Sequence, residues 1–517
     1  MVFDKLKHTT SRAAQVAQIA AAARNVSKAT EGGRERAQRA LAVLMADARG
    51  VPLKVGQFMG SLGKGEVFND LARGIAPQPI AVIRPAVEAA LQAPIESVFS
   101  SFDEIGIAAS LGQVHKACLH SGEAVAVKVR YPDIVEAIDA EMRLANLIPG
   151  LGPVRKWGFD LNGYKQTLLD NMHQELDYRG EMVRQQQFAE HVQLSGLVVP
   201  MVFPELSSEG LLVQSWETGV ALDEVANWSE AERKHIAVIL MCTLFQSLFN
   251  YGTIHGDPHL GNYRFRRGDG GKPEVILLDY GCMVPVAPIA RSALLKLVLG
   301  AIYEDETDPL LCFQAIGFDA SKLHPIQAVL PALTSVLTEP FTTPTVFSMK
   351  RWQLQERVDV LLGESKWWFR SSGPPNLLLL LRAFHGLMMQ METLQVALPW
   401  QQILFRIVGR NTREEASAME LPPLPEDLAA HSMNFRSMAR YLKVNVSTNG
   451  RQIAAVTMPA SQVTVLEELI PEETLVKLAT SSLDLDAIKR RACESGIVPQ
   501  ALFEHNDGEK SYRVWLE

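Results

Sequence analysis

Residues 255–262 read His255-Gly256-Asp257-Pro258-His259-Leu260-Gly261-Asn262. Seventeen positions after Asn262 comes Asp279-Tyr280-Gly281, directly behind the apolar run Val275-Ile276-Leu277-Leu278. Phosphoryl transfer asks little covalent chemistry of a protein. It needs metal ions that bridge phosphate oxygens and a carboxylate that orients the attacking oxygen. An Asp followed five positions on by an Asn, then a second Asp on a strand-to-loop turn, supplies those groups from two short loops. Each piece alone is a weak signal. His255 and His259 around Asp257 also suit a transition-metal site, and a lone Asp-Tyr-Gly is noise. Spacing and strand context together favour phosphoryl transfer, with Asp257 orienting the nucleophile and Asn262 and Asp279 binding magnesium.

The upstream half agrees. Two β-prone runs, residues 114–119 and 124–129, flank His120-Ser121-Gly122-Glu123 and read as a hairpin. The second run contains Val125-Ala126-Val127-Lys128, the pattern of a strand whose lysine holds the α- and β-phosphates of ATP. Such a lysine needs a helix-borne glutamate to fix it, and Glu181 is the candidate. Otherwise Lys128 is an exposed strand lysine. The loop that covers the nucleotide should be Gly-x-Gly-x-x-Gly, but residues 107–115 read Ile-Ala-Ala-Ser-Leu-Gly-Gln-Val-His. Alanine allows less close backbone approach to phosphate than glycine does. Backbone N–H groups of Ala108, Ala109 and Ser110 are the expected phosphate donors, with Gln113 either beside them or structural. Trp216 and Glu217 fall where a hinge would receive adenine. No Ala-Pro-Glu follows Asp279-Tyr280-Gly281, so a platform for polypeptide substrates is not expected. The fold class is therefore α+β, protein-kinase-like and two-lobed, with ATP and Mg2+ as the expected cofactors.

At this point the chain resembles the UbiB/AarF/ADCK (ABC1) family of atypical kinases over roughly residues 40–400. The family's Lys-x-Gly-Gln stands here as Lys54-Val55-Gly56-Gln57, its Glu-x-Asp as Glu175-Leu176-Asp177, and its Ala-rich loop as Ala108 to His115. The His-x-Asp-x-His-x-Gly-Asn loop is present in full from His255. Ile105 and Ile107 replace the usual Pro and first Ala, and Leu260 replaces a usual Pro. The resemblance implies that Lys54 and Gln57, on an N-terminal helix, fold over the site. It also implies that Lys54 pairs with Glu175 or Asp177; the alternative is a helix-cap or surface lysine. It further implies work on lipid, quinone or other isoprenoid intermediates.

Charge and composition bound the partners. Residues 1–40 carry eight Lys/Arg and three Asp/Glu, about +5 on a chain of net charge -8. A basic arm on an acidic body argues against nucleic acid and suits an anionic membrane surface, or else a solvated helix face. Five scattered cysteines without a CxxC pair argue against a disulfide framework or a zinc site and fit a reducing, cytoplasmic setting. No apolar run reaches 18 residues, so no transmembrane helix is expected and any membrane attachment is peripheral. The Ala-rich, basic first 28 residues also fit an organellar transit peptide.

The expected organisation is a helical extension over 1–100, an N-lobe with a helical insert over 101–220 and a C-lobe over 221–420. A Pro-containing linker at 421–432 precedes a separate small α+β module over 433–517, which carries two hairpins turning at Asn449-Gly450 and Asn506-Asp507-Gly508. Trp367-Trp368 and Met388-Met389 read as core.

Overall fold

A computed structural model describes residues 76–136, 158–429, 441–448, 451–470, 483–506 and 510–517, with a few isolated residues between and before them. Helix α1 (Ile80–Leu91) packs behind a five-stranded antiparallel sheet. The sheet holds β1 (Phe99–Phe102), β2 (Ile107–Ala108), β3 (Gly112–Leu119) and β4 (Ala124–Arg130). Strand β3 lies between β1 and β4, and β2 pairs with β3. Side chains alternate across a strand. Val125, Val127 and Val129 are therefore buried together against Ile83 and Val87, while Lys128 points to the opposite face.

Helices α2 (Leu161–Leu176) and α3 (Tyr178–His191) follow. Each has an aspartate N-cap: Asp160 accepts from Gly163 N–H and Asp177 from Gly180 N–H. Asp177 therefore marks the break between them. A two-residue strand, β5 (Leu197–Val198), and β6 (Leu211–Ser215) complete this lobe; β6 closes the sheet beside β4.

The nucleotide-loop reading meets a correction here. Gln113 is fully buried. Its Oε1 accepts from Gln78 N–H at 2.8 Å, and its Nε2 donates to Gln78 O at 3.2 Å and meets His115 Nε2 at 2.8 Å. The amide is engaged on both sides, so Gln113 clamps the segment before α1 onto β3 and does not face a nucleotide. His115 Nδ1 donates to Asp103 O at 2.7 Å, and its ring stacks on Phe102.

The second lobe is mostly helical. Helix α4 (Glu230–Phe245) opens with a capping box between Ser229 and Glu232. It runs into a π-turn, Gln246–Tyr251, that ends on Gly252 at φ 85°. Strand β7 (Thr253–His255) leads into the 256–262 loop. Strands β8 (Tyr263–Arg267) and β9 (Pro273–Leu277) are antiparallel, and β5 joins β9 in parallel. Strand β10 (Met283–Pro285) returns beside β7. Helices α5 (Pro288–Tyr303), α6 (Leu330–Thr342), α7 (Leu354–Leu362) and α8 (Leu377–Leu394) build the body of the lobe. Trp368 and Met389, expected in the core, are exposed.

The C-terminal region forms a four-stranded antiparallel sheet from β11 (Tyr441–Thr448), β12 (Arg451–Pro459), β13 (Gln500–Asn506) and β14 (Lys510–Leu516), in the order β12-β11-β14-β13. Helix α9 (Leu485–Glu494) accompanies it. This region does not stand apart as a separate module. Leu442, Val463, Leu466, Ile488 and Val514 belong to one hydrophobic core with Leu333, Val336 and Leu361 of the second lobe.

An ion pair lies inside that junction. Arg357 on α7 is 1% exposed and pairs with Glu339 on α6, which is 3% exposed. Arg357 also donates to Ser461 Oγ and Thr464 Oγ1, and Gln462 donates to Glu339 Oε1. Removing one partner strands the other charge out of water. Arg357→Met is expected to cost about 3–5 kcal/mol in denaturant unfolding, with much of the loss recovered on adding Glu339→Gln.

The clamp at His115 makes a second prediction. Burial holds His115 below the usual histidine pKa, and the imidazole of His385 shifts the same way for the same reason. The unfolded chain therefore takes up protons first on acidification. Stability should be flat above pH 6.5 and fall below it. A thermal melt series between pH 8 and pH 5 reads this, and His115→Gln should lower the plateau while flattening the fall.

Candidate active site

Central strand β4 presents Lys128 from the face opposite its valines. Lys128 Nζ donates to Glu181 Oε1 at 2.8 Å, Glu181 Oε2 at 2.9 Å and Asp279 Oδ2 at 2.8 Å. It also stands 4.9 Å from the centre of the Tyr178 ring. Burial disfavours the ammonium, but the carboxylates of Asp279 and Glu181 outweigh it and hold the Lys128 pKa well above the usual lysine value. Lys128 is thus a fixed cation between two anions at working pH.

Helix α3 fixes Glu181 through one face. Glu181, Gln185 and Phe188 recur at i, i+4 and i+7 and are all buried. Gln185 donates to Gln214 Oε1 and Pro200 O, and Gln214 donates to Leu278 O. Phe188 packs on Tyr280 at 5.2 Å. Glu181 Oε1 also accepts from Tyr280 N–H at 3.3 Å. The helix that holds Glu181 is therefore tied to β6 and to the turn that carries Asp279.

That turn is held from several sides. Asp279 Oδ1 accepts from Gly281 N–H at 3.0 Å. His255 Nε2 donates to Asp279 O at 2.8 Å, which fixes the imidazole tautomer. Arg184 Nε donates to Tyr280 O at 3.1 Å and its Nη2 to Gln174 O at 3.0 Å. Glu175 closes against the same turn: a Cβ on Gly281 would stand 3.2 Å from Glu175 Cγ and 3.2 Å from Asp279 Oδ1. Asn171 Nδ2 donates to Glu175 Oε1.

In the 256–262 loop, Asn262 Nδ2 donates to Asp257 O at 3.0 Å. The amide nitrogen is engaged by the loop, so the amide oxygen is the atom with which Asn262 would meet a cation. His259 Nδ1 accepts from Gly261 N–H. Each loop histidine thus serves a backbone group through one ring nitrogen. Asp257 is 7% exposed, and Arg382 Nη2 of α8 donates to its Oδ1 at 2.7 Å.

The roof over the site is tight. Ala108 pairs with Gln113 in β2–β3, and Ala109 N–H donates to Gly112 O at 2.8 Å. That N–H closes the hairpin turn, so Ala109 is corrected from a phosphate donor to a turn donor, leaving Ser110 at the tip. Gly112 cannot be replaced without movement: a Cβ there would meet Val129 O at 2.2 Å and Tyr178 Oη at 2.7 Å. At the hinge, Trp216 N–H donates to Ala124 O, and Glu217 accepts from Ser215 Oγ and Arg266. Val220 and Phe265 exchange backbone hydrogen bonds and join the two lobes.

The structure therefore brings Lys128, Glu181, Glu175 and Asp279 together, and it places Asp257 and Asn262 on one loop. Asp177 is engaged as a helix cap beside this group, and Gln113 lies in a separate clamp. Lys54 and Gln57 lie outside the described residues. Sequence reading missed Arg382, although a lone arginine after five consecutive leucines was a visible signal. It also missed Arg184 and the Gln185–Gln214 pair, which ordinary helix composition hides.

The stretch that carries these residues is similar to known proteins. Residues 70–309 match the ABC1 atypical kinase-like domain. The chain is 29% identical over 306 residues to mouse AarF domain-containing protein kinase 1, covering 57% of this chain and 58% of that one. It is 28% identical over 243 residues to the mitochondrial atypical kinase coq-8 of Caenorhabditis elegans, covering 45% of this chain and 32% of that one. The chain thus spans only part of the length of these relatives. A solved structure, the Rv3197–erythromycin complex from Mycobacterium tuberculosis, overlaps 72% of this chain and 96% of its own at 23% identity and a TM-score of 0.47. With its kinase-like α+β fold and this matching domain over residues 70–309, the chain is similar to the UbiB/AarF/ADCK (ABC1) atypical kinases.

Proposed function

We propose that this protein is an ATP- and Mg2+-dependent phosphotransferase or ATPase acting on, or coupled to, a lipid or isoprenoid small molecule. The observation that carries the reading is the Lys128 ammonium held between Glu181 and Asp279. That cation is placed to engage nucleotide phosphates, and Glu181 fixes it without competing for the metal. Asp279 and Asn262 offer carboxylate and amide oxygens, a hard-donor set suited to Mg2+, which prefers few protein ligands plus substrate phosphates. When bound, the metal neutralises charge on the transferring phosphoryl group. Asp257 orients the attacking oxygen of water or of a hydroxyl acceptor. Ser110 at the loop tip covers the phosphates, and Trp216 and Glu217 flank the adenine.

Lipid as the partner class rests on the family and on the basic 1–40 segment. Lys54 and Gln57 are proposed to close the site from the N-terminal side, with Lys54 against Glu175 or Asp177. A competing reading is a nucleotide-binding regulator without turnover; its support is the alanine-built loop, whose Ala109 N–H is already engaged.

Steady-state ATP hydrolysis with magnesium, with and without anionic liposomes, tests the proposal. Turnover should rise with anionic lipid and fall by about 100-fold or more in Asp279→Asn, because the chemistry here is almost entirely positioning and electrostatics. Tight MgATP binding with no turnover under any lipid condition would establish the regulator instead. Substituting Lys54 by Met should change the turnover number, and an unchanged rate would remove the N-terminal segment from the site.

A further inference from the structure

Asp257 is a carboxylate nine-tenths out of water, and a charge at that depth needs a partner. The loop that carries it has no arginine or lysine between His255 and Asn262. Each of its two histidines uses one ring nitrogen on a backbone atom. Nor is there room for a long side chain directly before Asp257: a Cβ on Gly256 would meet Cys282 Sγ at 2.8 Å and Val284 Cγ2 at 3.0 Å. A cation reaches the carboxylate from 125 positions away in sequence.

Helix α8 is shaped to deliver it. Arg382, Gly386 and Gln390 recur at i, i+4 and i+8 and so share one face. All three are buried. Gly386 lies directly against the loop: a Cβ there would stand 2.0 Å from Pro258 Cβ. The missing side chain lets the helix axis approach Pro258, and one turn earlier that approach puts Arg382 Nη2 2.7 Å from Asp257 Oδ1. Arg382 is 4% exposed, so its guanidinium is as far from water as the carboxylate it meets.

We propose that Arg382 is a positioning residue for the phosphoryl-transfer reaction, fixing the rotamer of Asp257 from helix α8. The inference rests on the reading of Asp257 as the residue that orients the attacking oxygen. A guanidinium on Oδ1 fixes the plane of the carboxylate and thereby the direction in which Oδ2 presents its lone pairs. Asp257 then acts by alignment, which suits a loose phosphoryl-transfer transition state. Arg382 would act through Asp257 without touching the nucleotide, so its loss should appear in kcat and not in KM for ATP.

The test is a double-mutant cycle on the full chain, reading MgATP hydrolysis, MgADP affinity and the thermal midpoint. Arg382→Met should lower kcat by about 100-fold with KM for ATP and Kd for MgADP within about threefold. Arg382→Lys keeps a charge without the planar fork and should recover about tenfold of that loss. In an Asp257→Asn background, Arg382→Met should lower kcat by less than about threefold further, because the effect it transmits is already gone. The thermal midpoint of the double variant should exceed that of Arg382→Met, since no unpaired carboxylate remains. Should Arg382→Met fail to fold, Arg382→Lys against Asp257→Asn carries the same cycle. Losses that multiply in the double variant, or a rise in KM in place of the fall in kcat, would reduce Arg382 to a structural staple and overturn the inference. A wild type that binds MgADP but never turns over ATP overturns the enzymatic reading itself and this inference with it; a failure confined to the cycle leaves that reading intact.

Discussion

Everything around the cleft depends on one ammonium group held between two carboxylates. Lys128 reaches Glu181 from the first lobe and Asp279 from the second, each at 2.8 Å. Glu181 is fully buried and is stabilised there by the cation, while the partly exposed Asp279 adds a second carboxylate that keeps the Lys128 ammonium charged. The arrangement therefore sets the distance between β4, α3 and the turn after β9 all at once. Gln185, Gln214 and Arg184 extend the constraint outward by tying α3 to β6 and to the same turn. Pulling α3 away would break several buried polar contacts together.

Much of this was legible in the chain, because the decisive residues sit in short motifs whose spacing is itself the geometry. Asp257 and Asn262 are five apart on one loop, and Asp279 follows an unmistakable buried strand. The hairpin that carries Lys128 announces itself by alternation and by a glycine turn. What stayed hidden was whatever needed distant segments to meet. Gln113 looked like part of the nucleotide loop by sequence position. Only the arrival of Gln78 from 35 residues upstream shows that its amide is already satisfied. Asp177 sits in a recognisable motif, yet its local geometry is that of a helix cap, a role that any well-placed aspartate fills. Arg382 was visible as an oddity in an apolar helix, but its partner lies 125 residues back.

The alanine-built roof follows the same logic. Where a glycine-rich loop keeps its amides available by staying supple, this loop engages the N–H of Ala109 in its own turn and rests Gly112 against Tyr178 and Val129. A roof built this way is stiffer than a glycine-rich one and holds its shape by its own contacts. Tyr178 touches both parts, its ring 4.9 Å from Lys128 Nζ and its hydroxyl close to Gly112. The roof and the cation are thereby supported by the same buried side chain.

The junction at the far end of the second lobe bears on how the protein is built up during synthesis. Arg357 and Glu339 lie on helices made early, but the hydroxyls and the amide that complete their network come from residues 461–464. Until that stretch leaves the ribosome, the lobe carries an ion pair with part of its hydrogen bonding unmet and an apolar face with no cover. The region over 441–517 is thus less an attachment than a closing seal, and the second lobe reaches its final packing only after residues 461–464 have been made.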